Sequence, residues 1–110
     1  MSIVGGSMGA DAAAGASIDA APGEIDRLVL LAGSAGEPPD QLKGRKLFIV
    51  AREDANAAGS RLPRIQAQYD GAAPPKALLI LEGSAHAQFL FQTDEGGRLM
   101  REILRFLSEK

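Results

Sequence analysis

Three short apolar runs constrain this chain more than any other feature: Arg27 to Ala32 (RLVLLA), Lys46 to Ala51 (KLFIVA) and Lys76 to Leu81 (KALLIL). None alternates apolar with polar residues, as a strand with one wet face does. Each therefore reads as a strand covered on both faces. Strands of that kind belong to parallel sheets, in which neighbours are joined by a crossover and not by a tight turn. The chain ahead of and between them supplies the other elements. Ile3 and Val4 look like the end of a further strand, running into a small-residue helix over Met8 to Ala21 that Pro22-Gly23 closes. Gly33 to Gly44 (GSAGEPPDQLKG) is rich in turn formers and reads as a loop.

A polar helix is expected over Ala57 to Tyr69, with Pro63 near its first turn and Gly71 to Pro75 breaking it. From Asp94 to Glu109, Leu99, Met100, Ile103, Leu104 and Leu107 recur at helical spacing. Thr93 or Asp94 is placed to cap that helix, and Arg98, Arg101 and Arg105 read as its solvated face. The expected fold class is α/β: a three-layer sandwich with a short parallel sheet of about four strands and helices on both faces. At 110 residues, 1–110 form a single domain with a modest core.

Charge and composition narrow the function. A net charge of -2 with no basic stripe argues against a nucleic-acid partner. No apolar run has the length to span a bilayer, so no membrane partner is expected. The N-terminus lacks the basic start and apolar stretch of a signal peptide, and a cytoplasmic location is the expectation. With no cysteine, a disulfide framework, a thiolate zinc site and a cysteine nucleophile are all excluded. One histidine and no cluster of ligands leave no histidine-rich metal site.

Reactive groups of parallel α/β sheets gather at the carboxyl ends of the strands, and three features of this sequence fall there. Gly5-Gly6-Ser7-Met8-Gly9 matches G-x-S-x-G, a sharp strand-to-helix turn that closes only when the residues two before and two after the serine are small. The Met8 N–H then faces the oxygen that becomes negative during acyl transfer. Alone, the pentapeptide fits phosphate binding or close packing as well. It lacks the lysine of a P-loop and the glycine spacing of the dinucleotide motif. Ala51 to Asn56 (AREDAN) puts Glu53 and Asp54 just past the second apolar run, where an acid can orient a histidine or simply close a turn. Glu82 to His86 (EGSAH) follows the third run and holds the chain's one histidine. A serine, an acid and a histidine in that order, each after a different strand, form the chain order of an α/β-hydrolase triad. Asp11, one helical turn past Ser7, reads as solvent-exposed or locally hydrogen-bonded rather than as a second base.

At these residues the chain resembles the α/β-hydrolase superfamily, and in particular the small dienelactone-hydrolase-like esterases. The resemblance covers essentially the whole chain: the elbow at GGSMGA, the acid turn at VAREDA, and the histidine loop at LEGSAH followed by a C-terminal helix. In the family's acid turn the aspartate stands three residues after the small residue that ends the strand, which selects Asp54 over Glu53. The resemblance implies Ser7 as nucleophile, His86 as general base, Asp54 as the acid, the Met8 N–H as one oxyanion donor, and Gly5, Gly6 and Gly9 as the elbow glycines. The implied activity is hydrolysis of a small-molecule carboxylic ester or lactone by acyl transfer, with no metal or organic cofactor. From their position just past His86, Gln88, Phe89 and Phe91 are candidates to border a site. For the two phenylalanines the favoured expectation is the alternative, a core role packing the histidine loop against the last helix.

In that family the serine follows the fifth core strand, whereas six residues precede Ser7 here. The resemblance therefore implies a truncated α/β-hydrolase fold, strands five to eight in family order, with Gly33 to Gly44 in place of a family helix. Its first strand is then an edge, and the loop that supplies the other oxyanion donor is absent with the preceding half. Loss of one such donor costs ~2.7–4 kcal/mol of transition-state stabilisation. The alternative expectation is a catalytically incompetent half-domain that pairs with a second copy through its first strand, a homodimer about a two-fold axis. A longer natural protein, with Met1 an internal start, is a third expectation.

Overall fold

The apolar runs pair side by side in the computed structural model of the chain, which describes residues 2–6, 8–21, 23–32, 39–56, 59–83, 86, 93 and 96–108. In chain order the elements are β1 (Ser2–Gly6), α1 (Met8–Asp19), β2 (Arg27–Leu31), a 3-10 turn at Pro39–Gln41, and β3 (Arg45–Ala51). A two-residue ladder, β4 (Ala55–Asn56) with β5 (Gly59–Ser60), comes next, then α2 (Leu62–Gly71), β6 (Lys76–Leu81) and α3 (Gly96–Ser108). The main sheet has the order β1-β2-β3-β6, and every pair in it is parallel. Gly6 pairs with Leu31 and Leu31 with Ile49, whereas β3 and β6 run on to pair Ala51 with Leu81. All four carboxyl ends therefore lie along one edge.

Side chains alternate between two covered faces, as the unalternating sequence requires. On one face Leu28, Leu30, Phe48 and Val50 meet Ala10, Ala13 and Ala14 of α1 and Ile65 of α2. On the other, Val29, Leu31, Leu47, Ile49, Ala51 and Leu81 meet Leu99 and Ile103 of α3. Helices cover both faces, and the three-layer α/β sandwich is the fold observed. The alanines of α1 are small enough for its axis to come close to the sheet. At its end, buried Ser17 accepts a hydrogen bond from the Lys43 backbone N–H at 2.7 Å. The Lys43 ammonium donates to the carbonyls of Ser17 and Ile18, so a cation caps the negative end of the helix. Next to it, Gly44 holds φ +79, and a Cβ there would lie 2.6 Å from the Ile25 carbonyl oxygen, so only glycine fits this return into β3.

Three expectations are corrected. The polar helix begins at Leu62 and not at Ala57, because β5 occupies Gly59–Ser60 and Pro63 stands in the first turn of α2. The stretch read as all loop contains the short 3-10 turn at Pro39–Gln41. Met100 and Leu104 do not join the buried stripe of α3; they are 45% and 57% exposed, while Leu99 and Ile103 with Phe106 and Leu107 face the sheet. Arg98, Arg101 and Arg105 are exposed, as expected.

Candidate active site

The sheet edge built by the carboxyl ends carries the sequence's three chemical features in sequence order. At β1 the strand ends at Gly6 and α1 begins at Met8, so one residue separates strand from helix. Gly5 is buried against Leu30 in register, and Gly9 lies in the first turn of α1. Ser7 itself lies outside the described residues, as do the side chains of Met8 and Asp11. A strand that gives way to a helix across one residue is the backbone path that a G-x-S-x-G turn requires.

Beyond β3 the chain turns at once: the Asp54 N–H donates to the Ala51 carbonyl at 3.1 Å. Two bonds prolong the β3–β6 pairing past its regular end, from Arg52 N–H to Leu81 O at 2.7 Å and from Glu53 N–H to Gly83 O at 2.9 Å. The acid turn and the histidine loop are thus laced together by backbone, with Gly83 at φ +100 making the bend that leads to His86. Of the two acids, Glu53 points to solvent and Asp54 is buried, 1% exposed.

His86 reaches that buried carboxylate. Its Nδ1 lies 2.7 Å from Asp54 Oδ2, with the imidazole 26% exposed. The other oxygen, Oδ1, accepts a hydrogen bond from Arg61 Nε at 3.1 Å. A carboxylate beside a permanent guanidinium cation only accepts, so His86 Nδ1 is the donor and the imidazole carries its proton there. The remaining ring nitrogen, Nε2, is then the basic one. Arg61 was not singled out by the sequence: a basic residue seven positions beyond an acid, ahead of a helix, has no spacing rule to mark it. The neighbouring Arg52–Glu82 pair, 3.3 Å apart and 54% and 72% exposed, is a surface contact of small energetic weight.

Among the described residues no group of three or more histidine, aspartate or glutamate side chains is placed to hold a metal ion. No helix among them is long and apolar enough to cross a membrane. Gln88, Phe89 and Phe91, the candidates to border the site, lie outside the described residues, as does Asp94.

No protein-family model matches the chain, and no curated protein does. Among solved structures it is similar to a dienelactone hydrolase from Anabaena variabilis ATCC 29413, with a TM-score of 0.66 and 22% sequence identity. The match covers 94% of this chain and 45% of that chain, so the chain spans less than half the length of its structural neighbour. The shared fold is that of an α/β-hydrolase, here its parallel sheet of four strands with helices on both faces.

Proposed function

We propose that this chain carries the catalytic side chains of a serine hydrolase acting on carboxylic esters or lactones. The observation that carries the reading is the 2.7 Å contact between His86 Nδ1 and the buried Asp54 carboxylate, on the sheet edge where β1 passes into α1. In this reading Ser7 Oγ attacks the acyl carbon while His86 Nε2 takes its proton. The imidazolium so formed is stabilised by Asp54, which stays ionised throughout. The tetrahedral oxyanion accepts a hydrogen bond from the Met8 N–H. Collapse of that intermediate expels the alcohol, which leaves with the proton from His86, and a water molecule repeats the sequence to free the acid. No step calls for a metal or an organic cofactor. The dienelactone hydrolase that the fold resembles supports the ester or lactone class as substrate. A fluorophosphonate probe is expected to label Ser7 covalently and to leave a Ser7→Ala protein unlabelled. Equal labelling of the two proteins, or none of either, counts against the reading.

A second reading is favoured by β1. Among the described residues it pairs with β2 alone, and Val4 at its centre is 48% exposed. A row of unpaired backbone donors and acceptors beside an exposed valine is a template for another strand. The partner proposed is a second copy of the chain, whose β1 would pair about a two-fold axis and continue the sheet. Size-exclusion chromatography with light scattering should give a dimer that Val4→Lys converts to monomer. A monomer at every concentration would exclude this pairing.

A further inference from the structure

The fold assigns Arg61 a task of its own: we propose that it is a positioning residue, which clamps Asp54 so that one oxygen alone is presented to His86. As a statement about catalysis this rests on the hydrolase reading; as a statement about orientation it does not.

Asp54 is 1% exposed, and an ionised carboxylate so far from water is costly unless its oxygens are paired. The two oxygens are divided between two donors. Arg61 Nε holds Oδ1 at 3.1 Å, and His86 Nδ1 takes Oδ2 at 2.7 Å. Arginine has no acceptor and does not lose its charge. Its hold on Oδ1 therefore persists whether His86 is neutral or charged, and it blocks rotation of the carboxylate about its own axis.

Arg61 is itself held at both ends. Its backbone N–H donates to the Asp54 carbonyl at 2.8 Å, and its own carbonyl accepts from Ile65 N–H at 3.0 Å in the first turn of α2. With the side-chain contact, residues 54 and 61 meet twice, once through backbone and once through side chain, closing the base of the β4–β5 ladder. The start of α2, the ladder and the acid form one unit, and the orientation of a helix is passed to a carboxylate. Only 20% of the Arg61 side chain is exposed, which sets this ion pair apart from the solvated Arg52–Glu82 contact on the same edge. A buried, charge-assisted bond is the stronger kind and is fixed in direction.

The chain has one histidine, so every imidazole resonance in a spectrum of isotope-labelled protein belongs to His86. In the native protein the Nδ1–H signal is expected at low field and slow to exchange. In Arg61→Met, which keeps the stem and removes the donor, that signal should broaden or vanish with the rest of the spectrum unchanged. The rate of Ser7 labelling should fall by about 10- to 100-fold, the range found when an outer-shell partner of a metal ligand, an analogous positioning group, is removed. Added ethylguanidinium should restore labelling in Arg61→Ala, where truncation leaves room for it, and do nothing for the native protein. If Arg61→Met fails to fold, Arg61→Ala is read in the same way, because it too has no donor for Oδ1. A native-like Nδ1–H signal in a folded variant overturns the proposal, whether or not labelling changes. An unlabelled native protein whose signal still responds to Arg61→Met overturns the hydrolase reading and leaves the clamp standing.

Discussion

Asp54→Asn is expected to slow the labelling of Ser7 by about 10⁴-fold, the effect of the same exchange in a serine-protease triad. The reason lies in what faces each oxygen. An amide presents one acceptor and one donor, and Arg61 Nε at the Oδ1 position can face only the acceptor. The amide NH₂ is then turned toward His86 Nδ1, the position that Oδ2 holds at 2.7 Å in the native site. Two donors cannot share that contact, so Nδ1 gives up its proton and Nε2 gains one. His86 is left in the tautomer that cannot accept a proton from Ser7. Labelling kinetics of the variant, with its histidine nitrogen spectrum to read the tautomer, check both halves of the argument. The clamp adds a sign to the test: in Asp54→Asn/Arg61→Met the amide is no longer held and can rotate its oxygen toward Nδ1. The second substitution should therefore speed labelling in the asparagine background although it slows it in the native one. Retention of most of the rate in Asp54→Asn would remove Asp54 from the mechanism.

The sheet was legible because burial on both faces leaves a strong mark. RLVLLA, KLFIVA and KALLIL became β2, β3 and β6 to within a residue at either end. The crossovers then required parallel pairing, and the shared direction of the strands brought the glycine turn, the acid and the histidine to one edge. Asp54 was separated from Glu53 by a resemblance; the structure separates them by burial, one under the turn and one in solvent. What could not be read were features set by pairing across space. Met100 and Leu104 sit at the same helical spacing as Leu99 and Ile103, and which side of α3 is buried depends on how it docks against β3 and β6. The β4–β5 ladder has two residues per strand, too few for any period to appear. Arg61 acquires its role only because that ladder folds back and returns it to Asp54. Its identity is visible in sequence; its partner is not.

The largest loss of stability is expected from Phe48→Ala. Among the described residues Phe48 is the largest fully buried side chain, on β3, which has a strand on each side. Its ring meets the Tyr69 ring edge-on, with centroids 5.9 Å apart and planes at 87°, so it joins the sheet to α2. Removing it forfeits the transfer of the ring from water and leaves a cavity, a loss of ~3–5 kcal/mol. A domain of this size is stable by about 5–15 kcal/mol, so the variant is brought to the margin of unfolding. Around this void the neighbours cannot easily move in, since Leu28, Leu30 and Val50 are fixed by strand pairing and Ile65 by the helix. Leu104→Ala is the control in the same protein: 57% exposed, it should shift stability by no more than about 0.5 kcal/mol. Urea denaturation followed by circular dichroism separates the two, and it tests the layer order itself. Were α2 not packed on this face of β3, Phe48→Ala would expose an already wet position and cost about as little as Leu104→Ala. A midpoint shift for Phe48→Ala several times that of the control is the result the three-layer arrangement requires, and near-equal shifts would take α2 off the sheet.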